Sequence, residues 1–188
     1  NEILAQDEIT QLLEPKVLTN AKRYTVKGEK PLDKFNRNEK GIITDNLIIK
    51  GNNLLALHSL KEEFAEKIKL IYIDPPYNTG NDSFKYNDSF NKSTWLTFMK
   101  NTLEVARKLL KADGVILVQC DHHEMGYLNV LLDEVFGIEN KIQQIAVKVA
   151  SASGFKAVNP GPIDVLENIL FYAKDKKSVI FKKNYVVT

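Results

Sequence analysis

Four consecutive residues, Asp74, Pro75, Pro76 and Tyr77, combine groups that can bind a planar ring carrying an amino group. They follow an apolar run over residues 70–73, which predicts a buried parallel strand. Because proline has no backbone N–H to give to a sheet, the strand must stop at this point. The Asp74 carboxylate and the Pro75 carbonyl then offer two hydrogen-bond acceptors, and Tyr77 offers an aromatic face. These groups fit the exocyclic amino group of a nucleobase.

The chemistry that needs this arrangement is methyl transfer to an amino nitrogen. The lone pair of such a nitrogen is delocalised into the ring, so the nitrogen is a poor nucleophile. Two acceptors that take its N–H groups favour a pyramidal nitrogen, which is a stabilisation that grows towards the transition state. A simpler interpretation also stands, in which Pro75 and Pro76 only end a core strand and Asp74 caps the turn.

The motif has a counterpart in a known family. The string Ile-Tyr-Ile-Asp-Pro-Pro-Tyr-Asn-Thr-Gly over residues 71–80 resembles the signature of beta-class DNA adenine methyltransferases. In particular, it is similar to the modification (Mod) subunits of type III restriction-modification systems. Residues 47–57, 93–99 and 113–121 resemble further blocks of that family, so the resemblance covers nearly the whole chain. It implies an α/β fold with a Rossmann-like, doubly wound sheet of the S-adenosylmethionine-dependent methyltransferase type.

The resemblance also assigns roles to the motif. Asp74 and Pro75 would hold and polarise the amino group, Pro76 would fix the loop, and Tyr77 would stack on the base. Serine usually stands in place of Asp74 in enzymes that methylate the amino group of cytosine, so the resemblance favours adenine. Cytosine amino methylation remains open, as does a noncatalytic DNA-binding or subunit-assembly role.

S-adenosylmethionine is the cofactor that the family implies. The resemblance places Gly51, Asn52, Asn53 and Asp74 in contact with it, and backbone N–H groups at a helix N-terminus suit such a contact. A pure capping role for Asn52 and Asn53 remains the alternative. The family's main donor motif, an Asp-Pro-Phe strand end with a glycine-rich turn, does not occur in this sequence. We therefore expect an internal fragment, inactive alone, that holds the half of the fold that binds the target base.

Double-stranded DNA is the expected substrate, with a Mod homodimer and a restriction (Res) subunit as the partners that the family implies. A target base must leave the duplex before its amino group can react, and aromatic residues in a polar loop suit an extruded base. The last residue of the motif, polar and aromatic residues after it, and one lysine are therefore candidates for base or DNA contacts. For residues 81–91 an ordinary loop anchored by its aromatic side chains remains the alternative. These candidates are Tyr77, Asn78, Phe84, Tyr86 and Lys148.

Composition sets limits on the class of protein. The 188 residues carry a net charge of +2, which is too small to indicate nucleic-acid binding by itself. One cysteine, Cys120, excludes an internal disulfide framework, and no apolar stretch is long enough for a membrane span. Together with the family resemblance, these features predict a bacterial cytoplasmic protein. The adjacent His122 and His123 point to different sides of a helix start, so we expect no metal site.

Periodicity predicts the elements that must position the motif. Residues 1–44 form a helical, then irregular lead-in, and residues 45–188 form the methyltransferase core. Strands are predicted over 47–49, 70–73, 115–120, 142–149 and 168–173, with a helix over 94–111 that Gly114 ends. Asp121 and Glu124 have the spacing of a capping box for the next helix. The alternation of strands and helices argues for a doubly wound sheet.

Overall fold

The computed structural model describes residues 18–78, 91–149 and 165–182. The chain divides into two compact units, Asn1–Phe64 and Ala65–Thr188. The division into 1–44 and 45–188 stays a prediction. No helix among the described residues combines the length and the apolar character that crossing a membrane requires.

The first unit contains a β-hairpin and one helix. Strands β1 (Lys22–Thr25) and β2 (Gly28–Pro31) pair antiparallel, where an irregular lead-in was predicted. Their residues are mostly exposed, so the hairpin leaves no hydrophobic alternation in the sequence. Helix α1 (Asn53–Phe64) begins as predicted, because the Asn52 side chain accepts the backbone N–H of Leu55 at 3.2 Å.

The strand predicted over 47–49 is wrong. These residues have no strand partner in the described part of the chain, and Ile48 is almost fully exposed. A short apolar run indicates a strand only where a neighbouring strand completes its hydrogen bonds. The helix predicted near the chain start lies outside the described residues.

The second unit is built on a four-stranded mixed sheet in the order β3-β4-β6-β5. Its strands are β3 (Ile68–Ile73), β4 (Leu110–Cys120), β5 (Lys141–Lys148) and β6 (Leu166–Ala173). Strands β3 and β4 are parallel, and β6 pairs antiparallel with both β4 and β5. All four strands were predicted, with boundaries that shift by a few residues.

Two helices supply most of the core beside this sheet. They are α2 (Lys92–Leu109) and α3 (Met125–Phe136). Trp95, Met99 and Leu103 of α2 lie fully buried in one cluster with Leu128 and Leu132 of α3. The α/β class is therefore confirmed.

Helix α2 ends earlier than the sequence predicted. Its last residue is Leu109, and Gly114 lies inside strand β4 rather than at the helix end. A side chain at position 114 would approach the carbonyl oxygen of Ile68 on the neighbouring strand to 3.0 Å. Glycine is thus required here by the close approach of two backbones, not by a helix stop.

Candidate active site

The motif lies at one edge of the sheet, where three strands bring distant segments together. Strands β3 and β4 are parallel and end at this edge, with Ile73 opposite Val118. Strand β6 runs the other way and therefore starts there, with Asn168 opposite Cys120. Open α/β sheets bind their ligands at the carboxyl ends of parallel strands.

Within the motif, the four residues differ in exposure. The Asp74 side chain is exposed, Pro75 is buried, and Pro76 and Tyr77 are half-buried. The fully buried Trp95 donates its indole N–H to the Pro76 carbonyl at 2.8 Å. The turn is thus fastened to helix α2, and Asp74 at its start is exposed.

The Tyr77 hydroxyl ties the motif to strand β6. It donates a hydrogen bond to Oε2 of Glu167 at 3.0 Å, and the same carboxylate oxygen accepts the Gln119 side-chain amide. Burial raises the pKa of Tyr77 well above its ordinary value, and hydrogen bonds to the carboxylates of Asp74 and Glu167 raise it further. The hydroxyl therefore stays a protonated donor, and its bond restricts the ring to one orientation.

A second carboxylate contacts the residue after the motif. Asn78 has φ +58°, a left-handed conformation that asparagine tolerates better than most residues. Its amide donates to Oε1 of Glu124 at 2.6 Å, and Nζ of Lys92 lies 3.0 Å from the same oxygen. Glu124 is fully buried, and its other oxygen, Oε2, has no partner among the described residues.

This geometry shows that the predicted capping box is wrong. Glu124 is the residue before helix α3, but its side chain makes no capping bond, and Asp121 instead accepts the backbone N–H of His123 at 2.9 Å. Asp121 also lies 2.7 Å from Nδ1 of His123. Asp121, His122 and His123 each offer one ligand atom within 4.8 Å of the others. The expectation that they hold no metal stays a prediction.

The residues assigned to the cofactor are divided between the two units. Gly51, Asn52 and Asn53 are exposed at the start of helix α1 in the first unit. The carboxamide oxygen of Asn52 is engaged in capping that helix, and no atom of the described residues lies within 4 Å of where a Gly51 side chain would start. These three residues therefore show a satisfied helix cap and no cradle fitted to a cofactor, whereas Asp74 in the second unit is exposed.

The candidates for DNA contacts fall into two groups. Lys148 is exposed at the end of strand β5, opposite Leu166 of β6, so it lies at the same sheet edge as the motif. Phe84 and Tyr86 lie outside the described residues. Their roles stay predictions.

Sequence reasoning missed the residues that hold the motif. Trp95 falls within the helix predicted over 94–111 and was assigned no role of its own, and Glu124 was expected only as part of a cap. Glu167 gave no signal, because one glutamate at a strand start is common. Gln119 is a polar residue in a strand predicted to be buried, and such a residue indicates that this end of the sheet makes polar contacts as well as apolar ones.

Comparisons with known proteins identify the family of the chain. Residues 68–187 match the family model described as "DNA methylase". The chain is 47% identical, over its whole length, to the "Probable type III restriction-modification enzyme HindVI Mod subunit" of Haemophilus influenzae. It is 35% identical, over 77% of its length, to the EcoP15I Mod subunit of Escherichia coli. The chain spans 25% and 27% of the lengths of these two relatives.

A solved structure shares the fold. The structure titled "crystal structure of M1.HpyAVI-SAM complex" superposes with a TM-score of 0.51 at 15% sequence identity. The match covers 74% of this chain and 60% of that one. At this identity the likeness supports the α/β fold and nothing about substrates.

Proposed function

The chain belongs to the DNA methylase family whose model matches residues 68–187, and we propose that its full-length polypeptide methylates the N6 amino group of adenine in double-stranded DNA. The observation that carries this proposal is the pairing of an exposed Asp74 carboxylate with the Tyr77 ring, whose hydroxyl is fastened to Glu167. Both groups stand at the sheet edge where this class of fold binds ligands.

Each residue of the motif has a task that its position supports. Asp74 accepts one amino N–H of the extruded base, and the Pro75 carbonyl accepts the other, which directs the nitrogen lone pair towards the methyl group. Tyr77 stacks on the base. Pro76 fixes the turn, and its carbonyl holds the indole of Trp95.

S-adenosylmethionine supplies an electrophilic methyl group on a sulfonium when it is bound. The M1.HpyAVI structure of the same fold is a complex with this molecule. In this chain Asp74 is the candidate contact that the geometry favours, because Asn52 is occupied by its capping bond. Gly51 and Asn53 remain backbone candidates.

The two relatives compared above are Mod subunits of type III restriction-modification enzymes. We therefore include in the proposal a type III system in the bacterial cytoplasm, with Mod dimerisation and a restriction subunit as partner. Asn78 and Lys148 would lie close to the DNA, as would Phe84 and Tyr86.

Cytosine N4 methylation is the second candidate, because the chain's family fits amino methylation of either base. Asp74 favours adenine, since cytosine-modifying members usually carry serine at this position. Digestion of the methylated DNA to nucleosides, followed by mass spectrometry, separates N6-methyladenine from N4-methylcytosine. N4-methylcytosine as the product would overturn the adenine assignment and leave the methyltransferase proposal intact.

The test is methyl transfer from labelled S-adenosylmethionine to duplex DNA by the full-length polypeptide. Asp74→Ala removes one acceptor and is expected to reduce the transfer rate by at least about a hundredfold, since preorganised polar groups of this kind contribute about 2.7–4 kcal/mol. DNA affinity should change little. Asp113→Ala is the matched control, because Asp113 carries an exposed ion pair with Lys69 on the same sheet.

Two results would contradict the proposal. A wild-type polypeptide that transfers no methyl group to any duplex would end the enzymatic assignment and favour a noncatalytic DNA-binding or assembly role. If Asp74→Ala and Asp113→Ala behave alike, Asp74 is not the acceptor.

A further inference from the structure

Glu124 stands out because its burial conflicts with its charge. It is fully buried, its Oε1 takes both the Asn78 amide and the Lys92 ammonium, and Oε2 has no partner among the described residues. A buried carboxylate with an unpaired oxygen is costly, and native proteins keep few of them. Fold stability alone does not account for a glutamate at this position.

The two partners of Glu124 flank one segment of the chain. Asn78 comes directly after the motif, and Lys92 is the first residue of helix α2. Both reach the same oxygen, at 2.6 Å from the Asn78 amide nitrogen and 3.0 Å from the Lys92 ammonium nitrogen. Glu124 therefore joins, through one oxygen atom, the two residues that flank the stretch 79–91.

The contact also completes the support of the motif. Strand β3 holds the motif at its start, and the bond from Trp95 to the Pro76 carbonyl holds its middle. The motif is followed by Asn78, which adopts a left-handed backbone conformation. Its bond to Glu124 holds that residue in place.

We propose that Glu124 is a positioning residue for methyl transfer, which acts by holding Asn78 and Lys92 so that Asp74 and Tyr77 keep their orientation towards the base. This inference rests on the proposed function. Glu124 touches neither substrate nor cofactor in this role. A misplacement of about 1 Å at a reacting group can cost about a hundredfold in rate, so such a residue can matter as much as one that touches the base.

The first experiment reads the position of the motif without any activity. Hydrogen–deuterium exchange of the full-length polypeptide is followed in the peptide that contains residues 74–78, whose exchangeable amides are those of Asp74, Tyr77 and Asn78. Glu124→Ala is expected to speed exchange there at least about tenfold. Glu134→Gln is the matched control, because Glu134 lies in helix α3, which Glu124 precedes, and forms only an exposed ion pair with Lys100 of helix α2. It should leave exchange unchanged.

The second experiment tests the pairing itself. Asn78→Asp places two carboxylates against each other and should speed exchange in the same peptide as Glu124→Ala does. Adding Glu124→Gln to Asn78→Asp reverses donor and acceptor and restores one hydrogen bond of similar shape. The double variant is therefore expected to return exchange most of the way to wild type, which a general loss of stability would not do. The pair also gives a result if Glu124→Ala fails to fold.

The third readout is single-turnover methyl transfer to duplex DNA. Glu124→Ala and Glu124→Gln are expected to lower the transfer rate about ten- to a hundredfold, with the affinity for S-adenosylmethionine unchanged. If exchange responds as predicted but the wild-type polypeptide transfers no methyl group, the proposed function fails, while the structural role of Glu124 in holding Asn78 and Lys92 stands. If Glu124→Ala matches Glu134→Gln in exchange, or the double variant shows no rescue, the inference is overturned.

Discussion

Removal of one oxygen atom from Tyr77 tests how the aromatic ring is held. Tyr77→Phe deletes the hydroxyl that donates to Glu167 at 3.0 Å and keeps the ring that would stack on the base. A hydrogen bond to a charged partner contributes about 1.5–3 kcal/mol, and the half-exposed setting of Glu167 places this one at about 1–2 kcal/mol. We expect the free energy of unfolding in urea to fall by that amount.

The effect on catalysis follows from the same bond. If the bond orients the ring, its loss costs up to about 1.4 kcal/mol in the transition state, which is about tenfold in rate. Tyr77→Ala removes the stacking surface as well, and stacking of one base contributes about 1–3 kcal/mol. Single-turnover methyl transfer by the full-length polypeptide should therefore rank wild type first, Tyr77→Phe second and Tyr77→Ala last.

The pH dependence provides an internal check. The pKa of Tyr77 is raised in the folded state, so the stabilisation is fully present below the ordinary tyrosine pKa of about 10 and is lost as pH rises above it. The difference in unfolding free energy between wild type and Tyr77→Phe should stay constant from pH 6 to 9 and shrink above about pH 10. Tyr24→Phe, in the exposed hairpin opposite Glu29, is the control. The reasoning is refuted if Tyr77→Phe behaves like Tyr24→Phe, or if it is as damaging as Tyr77→Ala.

Two further outcomes are expected. Gly114→Ala should lower the free energy of unfolding by about 1–3 kcal/mol, because its Cβ would lie 2.9 and 3.0 Å from two backbone oxygens. Gly126→Ala, with no described atom within 4 Å of its Cβ, should be neutral or stabilise helix α3 by up to about 1 kcal/mol. Equal urea midpoints for the two variants would contradict this prediction. Burial raises the pKa of the Cys120 thiol to about 12. Iodoacetamide at pH 8 should therefore label Cys120 at least about a thousandfold more slowly in the folded protein than in the urea-unfolded protein, measured by mass spectrometry of its peptide. Similar labelling rates in the two states would place the thiol at the surface.

Sequence reasoning succeeded for the elements whose signals are local. Strand β3 and the motif after it follow from an apolar run that two prolines stop, and helices α2 and α3 follow from periodicity. Capping by Asn52, one of two interpretations that the sequence left open, is observed at the start of helix α1. Each of these features depends on neighbours within a few residues, which a pattern in the sequence records directly.

The errors share a different cause. The strand expected at 47–49 needed a partner that the described chain does not give it, and Gly114 ends no helix because its role is to let two backbones approach. The capping box failed because the spacing of Asp121 and Glu124 is equally compatible with a buried glutamate that turns towards another segment. Non-local contacts decided all three cases, and spacing alone carries no record of them.

The antiparallel direction of strand β6 brings Glu167 into contact with the motif. Glu167 is 90 residues from Tyr77 in the sequence, and it reaches the hydroxyl because β6 runs antiparallel to β4 and so begins at the edge where β3 ends. Eight residues of strand span about 25 Å, so in a parallel β6 the same glutamate would lie at the opposite edge of the sheet. The motif therefore supplies the groups that we propose contact the base, while the antiparallel strand determines how the Tyr77 ring is held. The four motif residues, 74–77, placed in a sheet that lacks an antiparallel strand at this position should bind a base without fixing its orientation.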